Sequence, residues 1–283
     1  MYQRSITRTS HSAIVIAIDC SISMQEWTTF YRTRMRKMEV ASLIANFAID
    51  ELVTRSTRAG DIRNYYDIAV FQYSGNGIEP VIASEDNNMV NISTLQDRMP
   101  QPVCYNIRQE NDNIIPISLN GWTTPKASGT APMYEALAHI KNLVSKWCSD
   151  TFNRNSFPPI VINITDGCCS DAEDAELLDI ASEIKSIGTY DGTALLLNVY
   201  LANEADYSEQ IQFPLVCDNF SEDHDCQLLY NMSSILPDEL EVLIRDVYGY
   251  EVKREYKCFA RNASICDILT LVDIGTDRCI KYR

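Results

Sequence analysis

Short apolar runs alternate along this chain with segments whose apolar residues recur at helical spacing. Residues 13–18 form a continuous run rich in isoleucine and valine, which is typical of a strand buried on both faces of a parallel sheet. Residues 78–83 follow the turn sequence Ser-Gly-Asn-Gly and are predicted to form an antiparallel edge strand. Further strands are predicted at residues 65–73, 159–165 and 193–201, with one more short strand at 213–217.

Helical periodicity occupies the intervals between these strands. Val40, Leu43 and Ile44 give the first helix an inward apolar face, and Thr130 before Pro132 is predicted to cap the second. The predicted helices cover residues 37–54, 130 to about 147, 171 to about 188, 228–232 and 237–248. This alternation predicts an α/β, Rossmann-like fold: a doubly wound, mainly parallel sheet flanked by helices, with one antiparallel edge strand.

Two segments carry polar or irregular sequence. Residues 100–128 have little periodicity and several prolines, so we expect a long irregular connection that exposes Trp122. Asp171, Glu173 and Asp174 are expected in the first turn of the third helix, where the helix dipole favours negative charge.

Charge limits the classes of partner. The 283 residues carry a formal net charge of −15, which repels nucleic-acid phosphates and anionic lipid, so neither nucleic acid nor a membrane is expected as a partner. The densest basic cluster is short and is interpreted as a solvated loop and helix start; it comprises Arg32, Arg34, Arg36 and Lys37. The first twelve residues are polar, and no apolar run approaches the ~20 residues of a membrane span, so a soluble, cytoplasmic chain is expected.

The candidate chemistry lies where two predicted buried strands end. Asp19, Ser21 and Ser23 follow the first strand, and Asp166 follows the strand at 159–165. Thr130 opens a helix after a loop, and strand ends and helix starts share one rim of a parallel sheet. Two carboxylates and three hydroxyls would therefore surround one divalent ion, and oxygen ligands of this kind suit Mg²⁺.

The sequence Asp-x-Ser-x-Ser-Met after an apolar strand resembles the first metal-binding loop of a von Willebrand factor A (VWA) domain. Gly129-Thr130 and Ile164-Thr165-Asp166-Gly167 match the family's other two loops in order and spacing. The resemblance covers about residues 12–201, which we interpret as the core of a single VWA domain spanning 1–283, with a C-terminal extension at 202–283.

The resemblance implies a metal-ion-dependent adhesion site. Ser21 and Ser23 would coordinate the ion through their hydroxyls, and Thr130 would do so directly or through water. Asp19 and Asp166 would hold coordinated waters. The implied ion is Mg²⁺, with Mn²⁺ or Ca²⁺ as alternatives, and it would take an Asp or Glu side chain from a protein partner.

Two departures from the family pattern affect this site. Ile22 stands where the family often has glycine, so it would narrow access to the ion or give the partner an apolar contact. Ala131 separates Thr130 from Pro132, where the family more often has Gly-Thr-Pro. The placement of Thr130 is therefore open, with Thr123 and Thr124 as poorer substitutes.

Residues 257–276 resemble the tail of bacterial, cytoplasmic tellurium-resistance-type (TerY-like) VWA proteins. That resemblance implies a Ser/Thr phosphatase and a protein kinase as partners, and a stress-response or phospho-signalling complex. The expected function is metal-dependent protein binding without catalysis. The alternatives are an adaptor for a MoxR-type AAA+ ATPase and an Mg²⁺-dependent phosphohydrolase.

The ten cysteines are expected to be mostly free thiols in a reducing compartment. Cys20, Cys168 and Cys169 flank the two metal loops, where a helix N-terminus could make a thiol reactive, although small buried residues are the favoured interpretation. Zinc binding is disfavoured because no paired Cys-x-x-Cys accompanies the candidate set Cys217, His224 and Cys226.

Overall fold

The computed structural model describes residues 1–4, 6–30, 33–86, 88–108, 113–204, 210–241, 244, 249–250 and 254–262. The helices are α1 (Lys37–Ser56), α2 (Met133–Ser149), α3 (Asp174–Ser186) and α4 (His224–Met232). The strands are β1 (Ser12–Asp19), β2 (Trp27–Phe30), β3 (Thr33–Arg36), β4 (Thr57–Arg58), β5 (Asp61–Ile62), β6 (Tyr66–Ser74), β7 (Gly77–Ile82), β8 (Val90–Asn91), β9 (Pro102–Arg108), β10 (Ile114–Asn120), β11 (Ile160–Thr165), β12 (Gly188–Thr189), β13 (Gly192–Thr193), β14 (Leu195–Tyr200), β15 (Ile211–Gln212) and β16 (Phe259–Arg261).

The central sheet has the strand order β15-β16-β14-β11-β1-β6-β7, and β8 pairs with β6. The five strands from β16 to β6 are parallel to one another. The strands β15, β7 and β8 join at the two sides in antiparallel pairs. The predicted doubly wound, mainly parallel α/β fold is therefore confirmed, including the antiparallel edge strand after the turn at Gly75.

The core has two parts, one on each face of this sheet, because successive residues of a strand point to opposite faces. In β1, the even-numbered apolar residues belong to the cluster that contains Leu43 of α1. The odd-numbered ones belong to the cluster that contains Leu137 of α2 and Ile180 of α3. All eight residues of β1 are buried, as the unbroken apolar run predicts.

Two segments in which no strand was predicted contain antiparallel hairpins. The polar stretch before α1 is the hairpin β2–β3, in which Trp27 pairs with Arg36. The segment 100–128 contains the hairpin β9–β10. Trp122 is half-buried, contrary to expectation, because its indole Nε1 donates a hydrogen bond to Asp50 Oδ1 at 2.9 Å.

Three predicted boundaries were wrong. Helix α2 begins at Met133 with Pro132 as its capping residue, so Thr130 is not a helix cap. Asp171 precedes α3, and its carboxylate accepts hydrogen bonds from the first backbone N–H groups of α2 instead. The strand expected at 213–217 is replaced by β15, two residues earlier, and by an isolated bridge at Leu215.

The C-terminal part of the chain contributes β16, which pairs in parallel with β14 and antiparallel with β15. The helix predicted at 237–248 lies partly outside the described residues. Of the TerY-like tail at 257–276, the part from residue 263 onward also lies outside them. Among the described residues, no helix has the length and apolar character needed to cross a membrane.

Candidate functional site

The candidate site lies at the carboxyl ends of the two central strands. Strands β1 and β11 are parallel neighbours, and Ile18 pairs with Ile164. Asp19 and Asp166 therefore emerge side by side from adjacent strands, as the sequence predicts. Both carboxylates are buried.

Asp19 is held by neutral donors. Its Oδ1 accepts a hydrogen bond from the Ser21 backbone N–H at 2.8 Å, and its Oδ2 accepts one from the Thr165 hydroxyl at 2.8 Å. Burial, followed by repulsion from Asp166, raises the pKa of Asp19 to about 6, and the hydrogen bonds only partly offset these effects. The negative charge of Asp19 is therefore only partly compensated by its surroundings.

Asp166 has a cationic partner. Lys37 Nζ, at the start of α1, donates to Asp166 Oδ2 at 2.9 Å, and its side chain is only 3% exposed. The same ammonium contacts Glu26 Oε2 at 3.2 Å. The interpretation of Lys37 as part of a solvated basic cluster is therefore wrong: its side chain is buried in the candidate site.

The two serines of the first loop face each other. Ser21 Oγ and Ser23 Oγ are 3.0 Å apart, at the start of a short 3₁₀ helix, Ile22–Gln25. Ser21 is buried and Ser23 is half-buried, whereas the Ile22 side chain between them is 55% exposed. The loop therefore presents two hydroxyl oxygens at the rim and one apolar side chain to solvent.

The loop that carries Thr130 is joined to the first loop by backbone hydrogen bonds. Ile22 N–H donates to the Gly129 carbonyl at 3.0 Å, and Ser128 N–H donates to the Cys20 carbonyl at 2.8 Å. Gly129 has a φ of +68° and lies against Gly75. A Cβ added to Gly75 would be 2.7 Å from the backbone nitrogen of Thr130. Glycine at both positions permits this close approach, which holds Thr130 at the rim.

Thr123, one of the two substitutes considered for Thr130, has a different position. It is buried against α1, where its backbone N–H donates to Asn46 Oδ1 at 2.8 Å and its hydroxyl lies 2.9 Å from Ser42 Oγ. Thr130 is exposed, on the loop that bonds to the loop carrying Ser21 and Ser23. Of the two threonines, Thr130 therefore has the better position for a rim ligand.

Sequence reasoning missed Lys37, Glu26 and Thr165. Thr165 belongs to the apolar strand run, and only the β1–β11 register places it beside Asp19. Lys37 and Glu26 are brought together by the hairpin β2–β3, in a stretch where no strand was predicted. The available signal for Lys37 was that a basic residue stands at the first position of helix α1.

The cysteines near the site are not activated. Burial raises the pKa of Cys20 to about 12 and that of Cys168 to about 11, which opposes thiolate formation. All the described cysteines are free. Within the described residues, no group of three or more His, Cys, Asp or Glu side chains is placed to hold a metal, and His224 contacts Asp174 and Asp225 rather than a cysteine pair.

The donor set at the rim nevertheless fits a hard divalent cation held by hydroxyls. Two hydroxyl oxygens already lie within 3.0 Å of each other, next to two buried carboxylates. Among the described residues, Lys37 is the one cation paired with either of these carboxylates, and it pairs with Asp166, whereas Asp19 accepts hydrogen bonds from neutral donors. A bound cation would balance the second carboxylate.

The chain matches no protein-family model and no curated protein sequence. Among solved structures it is similar to a von Willebrand factor type A protein from Catenulispora acidiphila, with 18% identity and a TM-score of 0.40 over 67% of this chain and 33% of that one. It is also similar to proximal thread matrix protein 1 from the mussel byssus, with 12% identity and a TM-score of 0.44 over 95% and 48%. For the SpRpn10 VWA domain the identity is 10% and the TM-score 0.39, over 67% and 76%.

The chain thus spans less than half the length of the first two of these structures. All three TM-scores are below 0.5, so the similarities assign neither a family nor a function to the chain.

Proposed function

We propose that this protein is a VWA domain that holds one divalent cation at the rim and uses it to bind an acidic residue of a protein partner. The observation that supports this most is the geometry of the two central strands. Each delivers a buried aspartate to one rim, where Ser21 and Ser23 face each other at 3.0 Å.

Ser21, Ser23 and Thr130 would hold the ion, with Asp19 and Asp166 balancing its charge from behind. When bound, Mg²⁺ would supply an electrophilic centre with a coordination position free for a carboxylate oxygen. Asp19 also fixes the loop, because its carboxylate accepts a hydrogen bond from the backbone N–H of Ser21. This bond positions the residue that carries the first hydroxyl. The ion's charge reverses the local field, so a chain with a net charge of −15 can bind an acidic partner.

We further propose a bacterial, cytoplasmic setting of the TerY-like kind, in a stress-response or phospho-signalling complex with a Ser/Thr phosphatase and a protein kinase as candidate partners. This part of the proposal is supported by the sequence resemblance alone. An adaptor for a MoxR-type ATPase is the alternative within binding proteins. The proposal is one of binding rather than turnover, and hydrolysis of a phosphate ester that Asp19→Ala abolishes would favour a phosphohydrolase instead.

Calorimetric titration with Mg²⁺ and with Mn²⁺ tests the metal site. We expect a single site in the wild-type chain, strongly weakened in Asp19→Ala. Asp67→Ala is the matched control, because Asp67 lies at the opposite end of the neighbouring strand β6, paired with Ala13. Equal titration curves for wild type and Asp19→Ala would place the ion elsewhere.

The partner is tested by retention on the immobilised protein. A partner that binds through the ion should be retained in Mg²⁺, released by chelator and lost with Thr130→Ala. Retention unchanged in all three conditions would mean that the partner binds another face.

A further inference from the structure

Lys37 is the feature of the rim that the proposed function does not use. Its ammonium is buried between Asp166 Oδ2 at 2.9 Å and Glu26 Oε2 at 3.2 Å. A divalent ion balanced by Asp166 needs no second cation on the same carboxylate. Burying a lysine ammonium is costly unless it is paired, so its position needs a reason.

The backbone holds Lys37 firmly in this position. Lys37 N–H donates to the Glu26 carbonyl at 3.0 Å, which closes the base of the hairpin β2–β3. The Trp27 ring fixes the same hairpin, since the guanidinium groups of Arg34 and Arg36 lie 4.2 and 3.7 Å from its centroid. The hairpin therefore sets the start of α1 and directs the Lys37 side chain into the site.

An ammonium on Asp166 opposes a second cation there. Two positive charges a few ångströms apart repel each other strongly where water is largely excluded, and they also share the same carboxylate. Glu26 is already a second partner of Lys37 at 3.2 Å, and its side chain, 57% exposed, lies on the solvent side of the pair. The ammonium can thus lose Asp166 and keep one contact.

We propose that Lys37 is an internal cation that competes with the divalent ion for Asp166 and so lowers the ion's affinity. The inference rests on the proposed metal site. Without an ion, Lys37 neutralises Asp166 and keeps the rim assembled. With an ion, Lys37 gives up Asp166 and retains Glu26, so the domain is folded in both states and the ion is readily exchanged.

The test is Mg²⁺ titration of Lys37→Met by calorimetry, with melting temperatures measured in chelator and in saturating Mg²⁺. We expect Lys37→Met to bind Mg²⁺ at least about tenfold more tightly than wild type, because one positive charge has left the site. Its melting temperature should fall in chelator and recover in Mg²⁺, whereas that of the wild type should change much less. Lys37→Gln, which keeps a hydrogen-bond donor without the charge, replaces Lys37→Met if that variant does not fold.

Lys141→Met is the matched control. Lys141 lies on α2 and pairs with Glu183 at 2.7 Å, so its loss removes the same charge without touching Asp166. The Mg²⁺ affinity of this variant should remain close to that of the wild type. An equal gain in affinity for Lys141→Met would overturn the proposal, since net charge alone would then account for the effect.

The outcomes separate this inference from the proposed function. If the wild type binds Mg²⁺ and Lys37→Met binds it equally or more weakly, the proposal that Lys37 competes with the ion is wrong, and the proposed metal site is still supported. If only the Lys37 variants bind Mg²⁺, competition is supported and the natural chain uses its lysine in place of the ion. If no variant binds, both proposals are overturned and Lys37 is a structural ion pair.

Discussion

Asp19 ends strand β1 and Asp166 directly follows the adjacent parallel strand β11, yet the surroundings of the two carboxylates differ. Asp19 accepts hydrogen bonds from a backbone amide and a hydroxyl, both neutral. Asp166 accepts one from the Lys37 ammonium. The comparison shows that burial at a strand end does not decide how a carboxylate is stabilised. The element that packs over the carboxylate decides it, and here α1 reaches Asp166 but not Asp19.

The largest expected effect is a difference in stability between the two asparagine variants. In chelator at pH 7, Asp166→Asn should lower the free energy of unfolding by roughly 2–3 kcal/mol, because the buried ammonium loses its charged partner at 2.9 Å and keeps only Glu26 at 3.2 Å. Asp19→Asn should cost much less, since it removes a charge that burial disfavours. Urea unfolding of both variants measures the difference, and equal losses would contradict the comparison.

The second effect concerns pH. The folded-state pKa of Asp19, about 6, lies above the usual value of 3.8, so the folded state binds this proton more tightly than the unfolded state. Proton binding by Asp19 therefore contributes its full amount to the free energy of unfolding below about pH 4. This contribution, up to about 3 kcal/mol, is lost as the pH rises through 6. Asp19→Asn lacks this loss, so between pH 4 and 7 in chelator it should gain stability relative to wild type. A constant difference in unfolding free energy across that range would rule the effect out.

A third, smaller contrast lies between the two threonines. Thr123→Val should lower the unfolding free energy by about 1–2 kcal/mol, because the Thr123 hydroxyl bonds to Ser42 and Asn46 in a buried network. Thr130→Val should change it by less than about 0.5 kcal/mol, because Thr130 is exposed. Mg²⁺ affinity should show the reverse order: Thr130→Val should lose affinity and Thr123→Val should keep it. Urea unfolding and calorimetry on the same two samples test both halves.

The smallest effect is a difference in thiol labelling, since a cysteine closely follows each aspartate. Cys168 is exposed and Cys20 is buried. In the folded protein a thiol reagent should modify Cys168 while leaving Cys20 unmodified until urea is added, although both have a raised pKa. Mass spectrometry of the labelled peptides, with Cys168→Ser as the control, distinguishes the sites. Labelling of Cys20 at the rate of Cys168 would mean that the first loop opens readily.

The sequence predicted the sheet well because its central strands are buried on both faces. The run 13–18 has no polar residue to interrupt it, and β1 is buried throughout. Asp19 and Asp166 were found for the same reason, since a charge that ends such a run stands out. The antiparallel edge strand was found because a glycine-rich turn precedes it.

The hairpins β2–β3 and β9–β10 were missed because their stability depends on contacts with α1, which no local pattern reveals. In the second hairpin and its connection, Asn120 and Trp122 are held by Asp50 of α1. Lys37 was misplaced for a related reason: its burial depends on Asp166, 129 residues away along the chain. Periodicity describes the face of an element, but it does not identify which distant side chain neutralises a buried charge.

Strand β16 has a consequence for the synthesis of this protein. It is inserted between β14 and β15, although it follows β14 by roughly 60 residues in the chain. At ribosomal rates of about 5–20 residues per second, the free edge of β14 would wait roughly 3–12 s for its neighbour to be made. Until then a nascent chain would present an apolar strand edge of the kind that promotes association with other chains, so this edge is where assistance during translation would matter most.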